Sequence, residues 1–211
     1  MMSVRACSAL AALAIGTITV PASAQQSRPV PVAPLRAPDS TAYVMQVGAG
    51  NTATIRQNAG RSQSIIRQSG DRNTASIHTE GKVQARGVLI QSGTGNSASA
   101  MQSGQGIASL LMVQQGVGNQ MTATQMGNGG INSAVMSQMG DRNTATLTQS
   151  GSDNQAKLTQ TGDDNAMTAT QLGGRNTLVW DQQGNNLPDL KITQSGGDSM
   201  QITQTAGYGK P

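Results

Sequence analysis

Side chains that could carry out chemistry are few in this chain, and most of those present are amides. The 211 residues include one histidine, one cysteine and ten carboxylates. No second candidate base accompanies His78, so we expect neither a catalytic residue nor a cofactor. Glutamine and asparagine recur instead, and their side chains both donate and accept hydrogen bonds, which lets like residues bond in a column. The amides therefore predict a structural role.

The amides follow a frame that is complete in residues 40–57, STAYVMQVGAGNTATIRQ. A half-repeat spans about eleven residues, and the frame returns with few breaks almost to the end of the chain. Glycine at a fixed offset after each glutamine indicates a turn. The predicted self-assembly ladder consists of Ser40, Gln46, Asn51, Gln57, Ser62, Gln68, Asn73, Gln91, Asn96, Gln102, Gln114, Asn119, Gln125, Gln138, Asn143, Gln149, Gln160, Asn165 and Gln171. The predicted turn glycines are Gly48, Gly70, Gly93, Gly116, Gly140 and Gly162.

The residues between these positions alternate in polarity with a period of two. Two residues before each ladder glutamine the side chain is apolar, as at Val44, Ile55 and Ile66. Four residues before it the side chain is small or apolar, and the intervening positions hold mostly Thr, Ser, Gln, Arg and Lys. This alternation predicts half-buried strands of about seven residues, joined by turns of about four.

These strands need a covering layer, and no segment with helical periodicity is present to supply one. Two strands per coil, each stacked on its equivalent in the next coil, place two sheets face to face across a thin core. We therefore predict an all-β, amyloid-like fold: a parallel two-sheet β-solenoid with about 22–24 residues per coil and a rise of about 4.8 Å. One coil buries too little apolar surface to be stable alone, so we expect its open edge to recruit another copy.

The frame resembles the curlin repeat of bacterial curli subunits. Residues 40–57 match that repeat in full, and residues 62–79 match it except for Thr79 in place of the last glutamine. Later copies keep Gln, Gly and Asn, while the opening serine is replaced by Ala85, Ala108, Asn132 or Asn154. The resemblance covers about four-fifths of the chain, in about seven repeats and a half.

The resemblance implies a secreted structural subunit of an extracellular functional amyloid. Such subunits cross the outer membrane through a curli export pore, assemble with one another and with other curlin subunits, and form adhesive fibres of the biofilm matrix. The alternative is a minor nucleator that templates the major subunit. A basic first third either resembles that type or forms an ordinary solvated face: Arg56, Arg61, Arg67, Arg72, Lys82 and Arg86. No nucleic-acid partner is implied.

The two ends of the chain differ from the repeats at residues 40–204. Residues 1–24 are predicted to be a signal peptide, with an apolar stretch from Ala9 to Val20 and a small-x-small cleavage site ending at Ala24. That stretch is too short to span a bilayer, so the mature chain is expected to have no transmembrane segment and to lose Cys7. Residues 25–39 carry four prolines and predict an extended leader, either a spacer or an export address. Residues 205–211 form a tail.

Two binding functions compete with assembly. Outward threonine pairs are typical of ice-binding solenoids, but Arg56, Ile65 and Val88 are expected to interrupt the array. The Gly-Asp-Arg-Asn turns resemble calcium loops, yet one carboxylate per turn is too few for a hard cation, so no metal site is expected. The last repeat departs from the frame, because Pro188 is placed where Ser or Asn is expected, which predicts a partial cap.

Overall fold

The computed structural model describes the backbone of residues 16–21 and the whole of residues 40–206. The rest of the predicted signal peptide, the leader at 25–39 and the tail beyond residue 206 lie outside the described residues. Among residues 16–21 and 40–206, no helix is long and apolar enough to cross a membrane. The strands are β1 (Gly16–Pro21), β2 (Thr41–Val47), β3 (Thr52–Asp71), β4 (Thr74–Thr94), β5 (Ser97–Val117), β6 (Gln120–Met139), β7 (Thr144–Ser152), β8 (Gln155–Thr161), β9 (Ala166–Gly174), β10 (Thr177–Gln183), β11 (Ile192–Ser195) and β12 (Ser199–Thr205).

The predicted parallel β-solenoid is confirmed, with about seven turns. Strands β3 to β6 each pass through both sheets, and the register shifts near the middle of the β3–β4 and β5–β6 pairings, between Ala59 and Arg61 in the first. Sheet 1 stacks the first halves of β3–β6 with β7, β9 and β11. Sheet 2 stacks β2, the second halves of β3–β6, β8, β10 and β12. Bonded glutamines in neighbouring coils are 22 to 24 residues apart, as the frame predicts.

The core lies between the two sheets and is built from the inward positions of the alternation. Ile55 of sheet 1 and Ile66 of sheet 2 are 1% and 0% exposed and belong to one apolar cluster. Alanines stack on alanines in the first coils, as Ala53 does on Ala75, while later coils use methionine, leucine and the fully buried Trp180. A core of small residues is thin, so the fold depends on its backbone and side-chain ladders as well as on apolar burial.

The two ends of the stack are not equivalent. Strand β1 lies antiparallel on the outer edge of β3 in sheet 1, with Ile18 paired to Ile55. Residues 40–206 alone supply seven strands to sheet 1 and eight to sheet 2, so the stack begins and ends on sheet 2. Among the described residues, β2, β11 and β12 each pair with a neighbour on one side only.

Candidate functional site: the amide ladders

The first glutamine ladder runs along the whole of sheet 2. Each side-chain Nε2 donates to the Oε1 of the glutamine in the next coil, at 2.7–2.9 Å. The second Nε2 hydrogen points across the core to a backbone carbonyl of sheet 1, as Gln68 does to Thr52 at 3.1 Å. The direction is the same at every step, so the ladder has a polarity. Its members are Gln46, Gln68, Gln91, Gln114, Gln138, Gln160, Gln182 and Gln204.

A second glutamine ladder lies in sheet 1 and is interrupted once. Gln102, Gln125, Gln149, Gln171 and Gln194 are linked in the same direction at 2.8–2.9 Å. Gln57 stands two coils before Gln102, but Thr79 occupies the position between them. The Thr79 hydroxyl donates instead to the Ser62 hydroxyl at 3.3 Å. The Oε1 of Gln102 is consequently buried without a hydrogen-bond partner, and so is the Oε1 of Gln57, which begins the column and has no glutamine before it among residues 40–206.

An asparagine ladder runs along one turn edge with the opposite polarity. The Nδ2 of Asn73 donates to the Oδ1 of Asn51 at 3.1 Å, and the pattern repeats through Asn96, Asn119 and Asn143. Each Oδ1 also accepts the backbone N–H of the next asparagine, and for Asn165 this backbone bond is the link, at 3.1 Å. The six asparagines are at most 1% exposed. One side chain therefore satisfies several buried turn groups, which would otherwise be costly.

A second asparagine ladder, on the opposite turn edge, was missed by the sequence frame. Asn154 donates to Asn132 at 3.2 Å, and Asn176 donates to Asn154 at 2.9 Å. The same column begins with serine, where the Ser62 backbone N–H donates to the Ser40 hydroxyl at 3.2 Å. Asn132 and Asn154, read in sequence as replacements of the opening serine, are thus ladder residues, whereas Ala85 and Ala108 at the same position pack in a small apolar cluster with Val83. Gly-x-x-Asn, present at Gly151 and Gly173, was the pattern that could have revealed them.

The predicted turn glycines hold the coils close together. All six have positive φ, from 101° at Gly70 to 121° at Gly116. A Cβ at Gly70 would overlap the carbonyl oxygen of Gly93 in the next coil, and the other five face a glycine carbonyl in the same way. That carbonyl accepts the Nδ2 of the ladder asparagine, as Gly93 does from Asn73 at 2.9 Å. Glycine is therefore required both for the turn and for the ladder.

Comparison with known proteins identifies this repeat. A family model described as the curlin associated repeat matches residues 132–162. The match contains Gln138, Gly140, Asn143, Gln160 and Gly162, which stack on equivalent residues of the neighbouring coils. Residues 132–162 are thus similar to a curlin repeat. No curated protein and no solved structure matches the chain.

Acidic residues in the turns bridge neighbouring coils. The Oδ1 of Asp71 accepts the backbone N–H of Ala49 at 2.7 Å, and that of Asp141 accepts the N–H of Val117 at 2.8 Å. Each of these two carboxylates accepts a backbone hydrogen bond from the turn of the neighbouring coil. Within the described residues, no group of three or more His, Cys, Asp or Glu side chains could hold a metal ion.

His78 has a neighbour that the sequence interpretation did not place beside it. Its Nε2 lies 3.5 Å from a carboxylate oxygen of Glu80, and the two side chains are 38% and 43% exposed. The expectation that no acid–base group stands beside His78 is wrong. Both residues point outward from sheet 1, because outward positions are two residues apart on a strand.

Arg142 and Asp164 form a surface ion pair between coils on the asparagine edge. Arg142 donates two hydrogen bonds to the carboxylate of Asp164, both at 2.7 Å. The hydrogen bond and charge of Asp164 raise the pKa of Arg142, and the hydrogen bond from Arg142 lowers the pKa of Asp164. Both residues adopt positive φ, at 55° and 57°, so the pair links two strained turn positions.

The last coil leaves the frame one residue earlier than the sequence indicates. The backbone N–H of Leu187 donates to the Oδ1 of Asn165 at 3.0 Å, so Leu187 and not Pro188 occupies the asparagine column. The Pro188 carbonyl accepts the Nε2 of Gln204 at 3.1 Å. Asp189 then accepts the Thr168 backbone N–H at 2.9 Å and the Thr168 hydroxyl at 2.6 Å. The Asp189 carboxylate thus takes the place of a backbone hydrogen-bond acceptor beside Thr168. Strand β11 is accordingly only four residues long.

Proposed function

We propose that this chain is a structural subunit, not an enzyme, that self-assembles into extracellular curli-like amyloid fibres of a biofilm matrix. The observation that supports this most is the state of the two stack ends. Strands β2, β11 and β12 have one bonded edge each among the described residues, and an open edge pairs readily with another chain. The similarity of residues 132–162 to the curlin associated repeat supports self-association with other curlin subunits.

The polarity of the ladders favours head-to-tail growth. Every glutamine of the sheet 2 ladder before Gln204 donates toward the C-terminal end of the stack. A second copy placed beyond β12 would continue the column with its own Gln46, because Gln46 and Gln204 occupy the same position in strands of sheet 2. Growth in one direction would add one amide hydrogen bond to the sheet 2 glutamine column at each junction.

Exposed core positions at the C-terminal end add an apolar driving force. Met200 and Ile202 stack on Leu178 and Trp180 and share their inward orientation. Leu178 and Trp180 are 1% and 0% exposed, whereas Met200 is 38% exposed. The difference arises because no strand of sheet 1 among residues 40–206 lies opposite β12. The β2 strand of a second copy, stacked on β12, would place Ala42 and Val44 against Met200 and Ile202 and bury part of their surface, and burial of apolar surface favours association.

Strand β1 covers the N-terminal edge of sheet 1, and it lies inside the predicted signal peptide. Removal of residues 1–24 would uncover the edge of β3. Export through an outer-membrane pore, with residues 25–39 as the address, and adhesion of the finished fibre belong to the same proposal. They rest on the family resemblance.

The test uses purified chain beginning at Gln25, incubated without denaturant. We expect thioflavin-positive fibres with cross-β diffraction at about 4.8 Å along the fibre axis. Soluble monomer that persists for days would contradict the proposal. The matched control is the same chain with Asn73, Asn96 and Asn119 replaced by alanine, which should assemble far more slowly.

A nucleator role is the second candidate, and the basic first coils favour it. Arg56, Arg61, Arg67, Arg72, Lys82 and Arg86 are all exposed. Arg61 and Arg86 line a shallow surface groove with Ile107, which suits an acidic partner. Substoichiometric chain added to a curlin monomer would then shorten the lag without dominating the fibre mass. A chain that forms most of the fibre mass would identify the major subunit.

A further inference from the structure

The two sheets of one subunit contain different numbers of strands. Residues 40–206 supply eight strands to sheet 2 and seven to sheet 1. Strands are about 4.8 Å apart in both sheets, so a head-to-tail stack in which β12 pairs with β2 of the next copy advances by eight strand positions. The strands of residues 40–206 therefore leave one position of sheet 1 unfilled at each junction, between β11 of one copy and β3 of the next. We call this position the junction gap.

The structure shows that this position accepts a strand. At the N-terminal end of the single chain, the position beside β3 in sheet 1 is occupied by β1. Ile18 and Val20 of β1 pair with Ile55 and Ala53, which are inward residues of sheet 1. Because β1 belongs to the predicted signal peptide, removal of residues 1–24 would vacate the position. A complete junction between mature chains then requires a different segment.

Apolar side chains line the junction gap from the side of sheet 2. Met200 and Ile202 of β12 point inward, and Met200 is 38% exposed. Ala42 and Val44 of β2 belong to the same two columns. Stacking of β2 on β12 covers part of these side chains, and a strand in the gap would cover them from across the core. The same strand would bond the open backbone edges of β3 and β11.

We propose that residues 30–36 of the incoming copy, within the leader, fill the junction gap. This inference rests on the proposed function, since it concerns the assembled fibre. The leader ends at Ser40, whose hydroxyl begins the column on the second turn edge. In the repeat, the segment that precedes this column lies in sheet 1, as residues 52–58 do before Ser62. The leader is therefore connected directly to the gap.

The sequence of the leader fits the columns of sheet 1. A shift of 22 residues, which separates Ser40 from Ser62, aligns the leader with the first half of β3. The same shift places Asp39 beside Arg61, and opposite charges on adjacent strands are favourable. The inward positions receive only uncharged, small or apolar side chains. These are Pro31, Ala33 and Leu35, in the columns of Ala53, Ile55 and Gln57.

Two prolines fall within the proposed strand, and each removes one hydrogen bond. The backbone N–H of Thr52, at an outward position, donates to the next coil, so inward positions bond to the preceding coil. Pro31 therefore lacks a donor toward β11 of the preceding copy, and Pro34 lacks one toward β3. Each edge keeps its other backbone donors, which are those of Val30 and Val32 toward β3 and of Ala33 and Leu35 toward β11.

The decisive variant is Ala33→Asp, which would place a carboxylate in the core of the junction. The matched control is Val32→Asp, one residue away, in an outward column that contains only threonine and serine: Thr54, Ser76, Ser99, Thr122, Thr146 and Thr168. Ile65 and Val88 were expected to interrupt this hydroxyl array, and that expectation is wrong, because both lie on sheet 2. A carboxylate at residue 32 would thus face solvent.

The measurement is seeded elongation, with chains beginning at Gln25 added to wild-type seeds and the initial rise of thioflavin fluorescence taken as the rate. A chain beginning at Ser40 is compared in the same way. We expect Ala33→Asp and the chain without the leader to elongate at least about tenfold more slowly than wild type, because a buried unpaired charge or an unfilled gap destabilises each junction. Val32→Asp should stay within about twofold of wild type.

Hydrogen exchange in the fibres is the second measurement. The backbone amides of residues 30–36 should be protected in fibres of wild type and of Val32→Asp, but not in fibres of Ala33→Asp. Unprotected amides in wild-type fibres, or equal elongation rates for the two aspartate variants, would overturn the filling of the gap and leave the proposed function intact. Failure of every chain to form cross-β fibres would overturn both proposals.

Discussion

Gln102 and Thr79 occupy consecutive places in one column, and the Oε1 of Gln102 is buried there without a hydrogen-bond partner. Elsewhere in that column the preceding glutamine supplies the donor. The short Thr79 side chain cannot reach the Oε1 of Gln102. Its hydroxyl donates to the Ser62 hydroxyl instead. The interruption is a local defect in a ladder that is otherwise continuous from Gln102 to Gln194.

Replacement of Thr79 by glutamine should repair this ladder. The new amide would donate to Gln102, and a net hydrogen bond to a buried acceptor is worth about 1 kcal/mol. We expect a higher guanidinium midpoint for the freshly refolded chain. Thr148→Gln, at an outward position of the same sheet, should change the midpoint little. An unchanged or lower midpoint for Thr79→Gln would contradict the ladder energetics.

Replacement of Asn96 by alanine should be strongly destabilising. Asn96 donates to Asn73 and to the Gly116 carbonyl, and it accepts from the backbone and side chain of Asn119. Its loss leaves several buried groups without partners, at a cost of about 3 kcal/mol. Denaturant unfolding measures this. The exposed Asn128 provides the control, since Asn128→Ala should stay within about 0.5 kcal/mol of wild type.

Alanine at a turn glycine tests the close approach of coils. Gly70→Ala places a Cβ against the Gly93 carbonyl and forces positive φ on alanine, so we expect a loss of at least about 2 kcal/mol. Gly60 has nothing within 4 Å of an added Cβ and lacks a positive φ. Gly60→Ala should therefore fold normally. Equal effects of the two substitutions on the unfolding free energy would show that the turns are not tightly packed.

The Arg142–Asp164 pair predicts a pH dependence with a definite sign. Because the hydrogen bond from Arg142 lowers the pKa of Asp164 in the folded state, its stabilising effect is full above the ordinary aspartate pKa and is lost as pH falls through the lowered pKa. Unfolding midpoints of wild type and Asp164→Asn should differ at pH 6 and converge in acid. A difference that grows on acidification would contradict the assignment.

The sequence predicted the parts of this fold that repeat. A fixed period, an alternation of two and a glycine at a constant offset specify strands, turns and stacking together, since identical side chains can form columns only in a parallel register. The ladder positions of sheet 2 and of the first asparagine edge followed from that one frame. Residues such as Asn96 could be placed because every coil carried the same information.

The features that the sequence did not predict depend on departures from the frame. Asn132 and Asn154 were read as lost serines, because the frame was taken from the first repeat, where the second turn edge uses serine. Ile65 and Val88 were assigned to the wrong outer face, because outward residues of both sheets alternate identically along the chain. The antiparallel pairing of Gly16–Pro21 with β3 lies outside the repeat altogether.

Helical reconstruction by cryo-electron microscopy, on fibres of the chain beginning at Gln25, tests head-to-tail parallel stacking most directly. The account predicts parallel strands about 4.8 Å apart along the axis and one subunit per about 38 Å in each solenoid, since sheet 2 has eight strands. Gln204 of one subunit should lie next to Gln46 of the next. Antiparallel neighbouring strands, or Asn51, Asn73 and Asn96 in separate columns, would contradict it.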